Sequence, residues 1–228
     1  TIGTSYDADK ALTDIQGFVA ELNDIISKLS ALTYRGTPGE DDKGPLASDN
    51  LARSYLRTLK SLTTKPIIGY GDDDIFLSNF GVMTERDGSL SINETKFREF
   101  FSAKPDSFAA LMDSRVTATS SLVKPQLTGT AWEPGKFQFN IDPDNTADIR
   151  QLLPTAEATT TELNLSNGRY LATAGAARGL SLTLLGGGQD TNIYIGKSLL
   201  EIVREFAEPI ISTTSAVSTR INNYNNEV

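Results

Sequence analysis

Residues 184–190, LLGGGQD, are the run that most resembles a phosphate loop. Such a loop needs backbone N–H groups opening a helix and a Lys-Ser/Thr pair at a fixed distance. Here the pair is missing and the following TNIYIG reads as a strand, so the run is expected to be a flexible hairpin tip. Three adjacent carboxylates, Asp72, Asp73 and Asp74, close GYGDDD at 69–74, and Asp142, Asp144 and Asn145 crowd a second acidic stretch. An EF-hand calcium loop sets its ligands at alternate positions around a central glycine and ends on a distal glutamate. Neither stretch does so, and both are expected to be turns. Glu157 and Glu162 are a carboxylate pair of the kind a hydrolase uses, but nothing local would split their protonation. Trp132, the single tryptophan, stands beside Pro134 and Gly135. An exposed indole can serve as a sugar platform; a place in a core or at a domain junction is the expected one.

The missing residue types narrow the chemistry further. The 228 residues include no histidine and no cysteine. That removes disulfides, thiolate chemistry, Cys/His zinc sites and the commonest general base. No Gly-x-Ser-x-Gly elbow occurs, and without histidine a Ser-His-Asp triad cannot be assembled. No catalytic, cofactor-binding or metal-binding residue is therefore expected, and the chain is expected not to be an enzyme. The formal net charge of -8 repels phosphate backbones and anionic bilayer surfaces, so neither nucleic acid nor membrane is an expected partner. No apolar run approaches the roughly 18 residues of a membrane span. The polar opening TIGTSYDADK lacks the layout of a secretory signal and reads as a strand end within a longer protein.

The elements that would carry these residues are legible from periodicity. Between Asp7 and Leu32, Ala11, Ile15, Phe18, Leu22, Ile25, Leu29 and Leu32 alternate steps of four and three, heptad a and d spacing. Asp7 or Asp9 can cap this helix and Asp24 can pair with Lys28. An amphipathic helix packed on its own domain is the expected form, with coiled-coil pairing between chains the alternative. Residues 36–45, GTPGEDDKGP, form a loop, and a second helix is predicted over 48–62. Asp87-Gly88 marks a hairpin near 81–92, Asn93 caps a third helix with Phe97, Phe100 and Phe101 inward, and Pro105 opens a fourth. Strands GKFQFNIDP, TELNL, GRYLATA, LSLTLL and TNIYIG follow, with turns at Asn167-Gly168, 177–179 and 186–190. Leu199, Val203, Phe206, Ile210, Thr213, Val217 and Tyr224 then resume heptad spacing around Pro209, which should kink or restart the helix. The end helices are expected side by side. The fold is expected to be α+β: a helical, coiled-coil-like layer at 1–124 and 197–228 with a small β-hairpin, and an inserted antiparallel β domain at 125–196.

Three segments in order carry a resemblance. They contain Phe18, Val19 and Asn23; Gly44, Leu46 and Asp49; and Gly81, Val82, Asp87, Gly88, Leu90, Ile92 and Asn93. Over roughly the first 112 residues this arrangement resembles the C-terminal region of the flagellar hook-associated protein 2 family. After Pro125 the chain departs from the usual pattern, which would place a short connection before the last helices. The resemblance implies a non-enzymatic filament cap: a homo-oligomeric ring at the tip of the bacterial flagellum, outside the cell. The ring would promote flagellin polymerisation and prevent flagellin loss. Implied partners are flagellin, further copies of the chain, other hook-associated proteins and an export chaperone, with export through the flagellum's own channel. The alternatives are an adhesin that binds glycan or a host protein through the β domain and Trp132, and a carboxylate-based hydrolase.

Overall fold

Asp7 starts the first helix by accepting hydrogen bonds from the backbone N–H groups of Asp9 and Lys10, donors that a helix start leaves without internal partners. The computed structural model describes residues 7–152, 160–186 and 190–206. Outside them lie residues 1–6, read from the sequence as a strand end, Glu157, residues 187–189 of the expected hairpin tip and everything after Phe206, with Pro209, Ile210, Thr213, Val217 and Tyr224. The chain is α+β and divides into two compact units. One takes in Thr1–Lys65, Phe76–Phe108 and Ile202–Val228, and the other Pro66–Ile75 and Ala109–Glu201.

In the helical unit, α1 spans Ala8–Leu32. Its buried stripe runs Ala11, Ile15, Phe18, Leu22, Ile26 and Leu29, flanked by Leu12 and Val19. These steps average 3.6 residues, the period of a straight α-helix and not the 3.5 of a heptad seam. Ile26 is 4% exposed, whereas the heptad positions Ile25 and Leu32 are 37% and 38% exposed. The expected heptad register is therefore corrected in the second half of the helix, because the stripe follows the core of its own unit. Lys28 pairs with Asp24 at 2.7 Å, as the i,i+4 spacing requires.

Helix α2, Asn50–Lys60, is capped by Asp49 and followed by a 3-10 turn at Leu62–Thr64. Strands β1 (Val82–Thr84) and β2 (Leu90–Ile92) pair antiparallel, and α3 (Glu94–Ala103) follows from the Asn93 cap. Phe97 and Phe101 are buried and Phe100 is half-buried. Phe80 meets Phe100 edge-on at 4.9 Å, Phe97 stacks on Phe101 at 5.5 Å, and Phe108 meets Phe101 edge-on at 5.7 Å. Such pairs contribute about 0.5–1.5 kcal/mol each beyond their buried area. Pro105 opens a 3-10 turn, Pro105–Phe108, that runs into α4, Ala109–Met112. The last described helix, α5, runs from residue 199 to the limit of the described residues at 206 and reaches α2 where Phe206 meets Tyr55 edge-on at 6.2 Å.

The other unit takes in α4 and, among its described residues, one antiparallel sheet of eight strands: β3 (Arg115–Ala118), β4 (Val123–Leu127), β5 (Gly135–Ile141), β6 (Ala147–Leu152), β7 (Thr160–Ser166), β8 (Arg169–Leu171), β9 (Leu180–Leu184) and β10 (Thr191–Gly196). Their order is β3-β10-β5-β6-β7-β8-β9-β4, and the sheet curls until its two outer strands lie together, nearly closing a barrel. Eight strands enclose an interior that side chains can fill. Phe137, Phe139, Ile149, Leu163, Tyr170, Leu180, Leu182, Ile193 and Ile195 fill this one. Register puts Phe137 opposite Ile193 and Phe139 opposite Ile149, so period-two alternation becomes a continuous core.

Three of these strands, β3, β4 and β6, are additional to the five expected ones. Pro125 obscured β4; it is tolerated because β4 pairs with β9 at the sheet's margin. Asp148 and Arg150 obscured β6, whose inward residues are Ala147 and Ile149. The sheet accordingly begins at Arg115, ahead of the expected boundary at 125, and the unit also includes Pro66–Ile75.

Candidate functional site

Two of the three motifs meet at the β1–β2 hairpin. Gly81 sits at φ 76°, its carbonyl accepts from the Asn93 N–H at 2.9 Å, and a Cβ there would strike the Asn93 carbonyl. The two residues thus close the hairpin base. At the other end Asp87 accepts from the Ser89 N–H at 2.9 Å and the Ser89 hydroxyl at 2.7 Å, while Gly88 takes φ 87°. Those bonds hold the Asp87 carboxyl below the usual carboxylate range.

Helix α1 docks on this hairpin through Asn23. Its side-chain amide donates to the Leu90 carbonyl at 2.8 Å, and its carbonyl oxygen accepts from the Leu90 N–H at 2.7 Å. One asparagine satisfies both backbone groups at the open edge of β2, where they would otherwise face an apolar helix. Gln16 to Glu94 at 3.0 Å and Arg98 to Asp9 at 2.7 Å tie α1 to α3. The motif of Gly44, Leu46 and Asp49 works at the end of α1 and the start of α2. Gly44 passes so close to the Ala31 and Leu32 carbonyls that a Cβ would not fit. The Leu46 N–H then donates to the Leu32 carbonyl at 2.8 Å, satisfying one of the acceptors a helix end leaves open. Sequence reasoning named Asn23 without its role; the available signal was a polar amide directly beside the apolar stripe position Leu22, and the structure shows it half-buried.

The other expected features are placed apart from this staple. The 69–74 turn lies in the β unit, between Ile67 and Ile75, which form an isolated antiparallel bridge. Asp72 accepts from the Tyr194 hydroxyl at 2.9 Å and from Lys136, and both bonds hold its carboxyl low. The Tyr70 hydroxyl donates to the Asp113 carbonyl at 2.8 Å, and burial raises its pKa. Asp142, Asp144 and Asn145 form a turn in which the Asp142 N–H donates to the Thr146 carbonyl at 2.8 Å. Glu162 is exposed on β7. Trp132 packs half-buried against the barrel core, its indole N–H donating to the Gly129 carbonyl at 3.0 Å. Among the described residues no group of three His, Cys, Asp or Glu is arranged to hold a metal ion, and no helix is long and apolar enough to cross a membrane.

The family model described as "Flagellar hook-associated protein 2 C-terminus" matches residues 1–228. The chain belongs to this family. The match to the flagellar hook-associated protein 2 C-terminus covers the β unit as well. That corrects the expectation that the chain leaves the family pattern beyond about residue 112. An A-type flagellar hook-associated protein 2 of Pseudomonas aeruginosa is 31% identical over 149 residues, 62% of this chain and 30% of that protein. A polar flagellar hook-associated protein 2 of Vibrio parahaemolyticus is 35% identical over 92 residues, 40% of this chain and 14% of that protein. A flagellar hook-associated protein 2 of Vibrio cholerae is 29% identical over 132 residues, 53% and 20% respectively. The matched segments thus span less than a third of these relatives' length. No solved structure matches the chain at a significant level.

Proposed function

We propose that the chain is the C-terminal part of a structural cap at the tip of the bacterial flagellar filament. Copies assemble as a ring, promote flagellin polymerisation and keep flagellin from being lost. It works outside the cell after export through the flagellar channel, beside other hook-associated proteins and with a dedicated export chaperone, and it performs no catalysis. The observation that carries this reading is the family match across all 228 residues. The site geometry supports it: Asn23, Gly81 and Asn93 fix the shape of a helix–hairpin unit, which is what an assembly factor needs. Hydrogen bonds hold Asp42, Asp72 and Asp87 low, opposite to the raised pKa of a general acid.

The test is complementation. In bacteria lacking the full-length gene, its return should restore filaments of normal length and lower the flagellin released to the medium. Normal filaments and no leakage in the deletion strain itself would refute the cap role.

A further inference from the structure

In the helical unit a cavity of about 430 Å³ opens between the end of α1 and α2, lined by Thr33, Arg35, Asn50, Arg53, Leu56 and Arg57. The chain carries 29 acidic against 21 basic residues, yet this lining holds three arginines and no carboxylate. Among the described residues none of the three guanidinium groups is in an ion pair. Arg53 donates to the Asn50 side chain, which leaves most of its five N–H donors uncommitted. Nearby acids are engaged elsewhere. Asp49 caps α2 through the Leu51 and Ala52 N–H groups, and Asp42 accepts from the Thr37 N–H and hydroxyl. The Thr33 hydroxyl is spent on the Leu29 carbonyl at 2.6 Å. Arg53 and Arg57 lie one turn apart on α2, a spacing at which like charges repel unless an anion sits between them.

We propose that this cleft receives the carboxylate side chains of an acidic segment of a partner polypeptide. The planar guanidinium fork matches a carboxylate bidentately. Leu56 supplies an apolar contact for the methylenes of a glutamate. A short protein segment brings its charge locally, whereas an extended phosphate backbone would meet the repulsion of a chain at -8.

The test measures binding of fluorescein-labelled hexaglutamate to the full chain by anisotropy, with labelled hexalysine as the control. Hexaglutamate should bind at low salt and be released as salt approaches about 1 M, where the screening length falls to roughly 3 Å. The double variant R53A/R57A should lose affinity about tenfold or more, the change expected for losing charge-assisted hydrogen bonds. R98A, whose arginine pairs with Asp9 away from the cleft, should bind as the parent does, and circular dichroism should show all three proteins folded. No binding at low salt, or equal binding by R53A/R57A, would overturn the proposal. So would displacement of the label by inorganic phosphate at lower concentration than by unlabelled hexaglutamate, which would assign the cleft to free phosphate.

Discussion

Gly81 and Gly88 show how one residue type does two different jobs in a single hairpin. Both have positive φ, where a side chain costs about 1–2 kcal/mol. A Cβ on Gly88 would otherwise meet only the end of Lys60, which can swing aside, whereas one on Gly81 would meet the fixed Asn93 carbonyl. Gly88→Ala should therefore lower unfolding free energy by about 1 kcal/mol, and Gly81→Ala by about 2 kcal/mol or more, because the backbone itself must move. Urea titration of the two variants checks the order; equal losses would show that the Asn93 carbonyl yields easily. Only the φ requirement at Gly88 was legible in the sequence, since Asp-Gly is a local turn signal. The obstruction at Gly81 comes from a residue twelve positions later.

At the scale of elements, α1 tests whether its apolar stripe faces its own unit or another chain. Ile26→Ala should cost about 2–4 kcal/mol, as for a buried aliphatic side chain, and Ile25→Ala less than about 1 kcal/mol. Thermal unfolding distinguishes them, and the reverse order would restore the heptad register. The 66–75 segment offers a pH test in the β unit. The Asp72 carboxyl is held below its ordinary value of 3.8 by Lys136 and Tyr194. Its contribution is therefore complete above that value and disappears as pH falls through the lowered one. Asp72→Asn should make the protein less stable than the parent at pH 7, with the gap closing below about pH 4. A gap that persists undiminished in acid would mean the carboxylate charge is not what matters. Glycines at 69 and 196 let this segment approach: a Cβ on Gly69 would strike the Ile195 carbonyl, and one on Gly196 would lie 2.6 Å from the Tyr70 ring.

Across the whole molecule, the two units have separate cores and separate reporters. The single tryptophan, Trp132, lies in the β unit, whereas α1, α2 and α3 belong to the other. Asn23→Ala removes both hydrogen bonds to Leu90 and should destabilise the helical unit by about 1–3 kcal/mol. Far-ultraviolet circular dichroism should then show an earlier transition, while the fluorescence midpoint of Trp132 stays where it is. Coincident shifts in both signals would show that the units unfold as one.

What the sequence determined by itself is whatever rests on near neighbours. Although the choice of Asp7 over Asp9 at the start of α1 came from the structure, the Asn93 cap, the Asp87-Gly88 turn, the Asp24–Lys28 pair and the alternation of Phe137 and Phe139 each depend on residues a few positions apart. So does the α+β class, because element type follows from local period. Tertiary structure alone decided which side of α1 turned inward after Leu22, that a proline-bearing segment became the β4 strand of an eight-stranded sheet, and that Asn23 would complete the edge of a strand 67 residues away. These outcomes depend on backbone groups meeting across long separations, where a partner's hydrogen-bonding need outweighs the intrinsic preference of the residue that meets it.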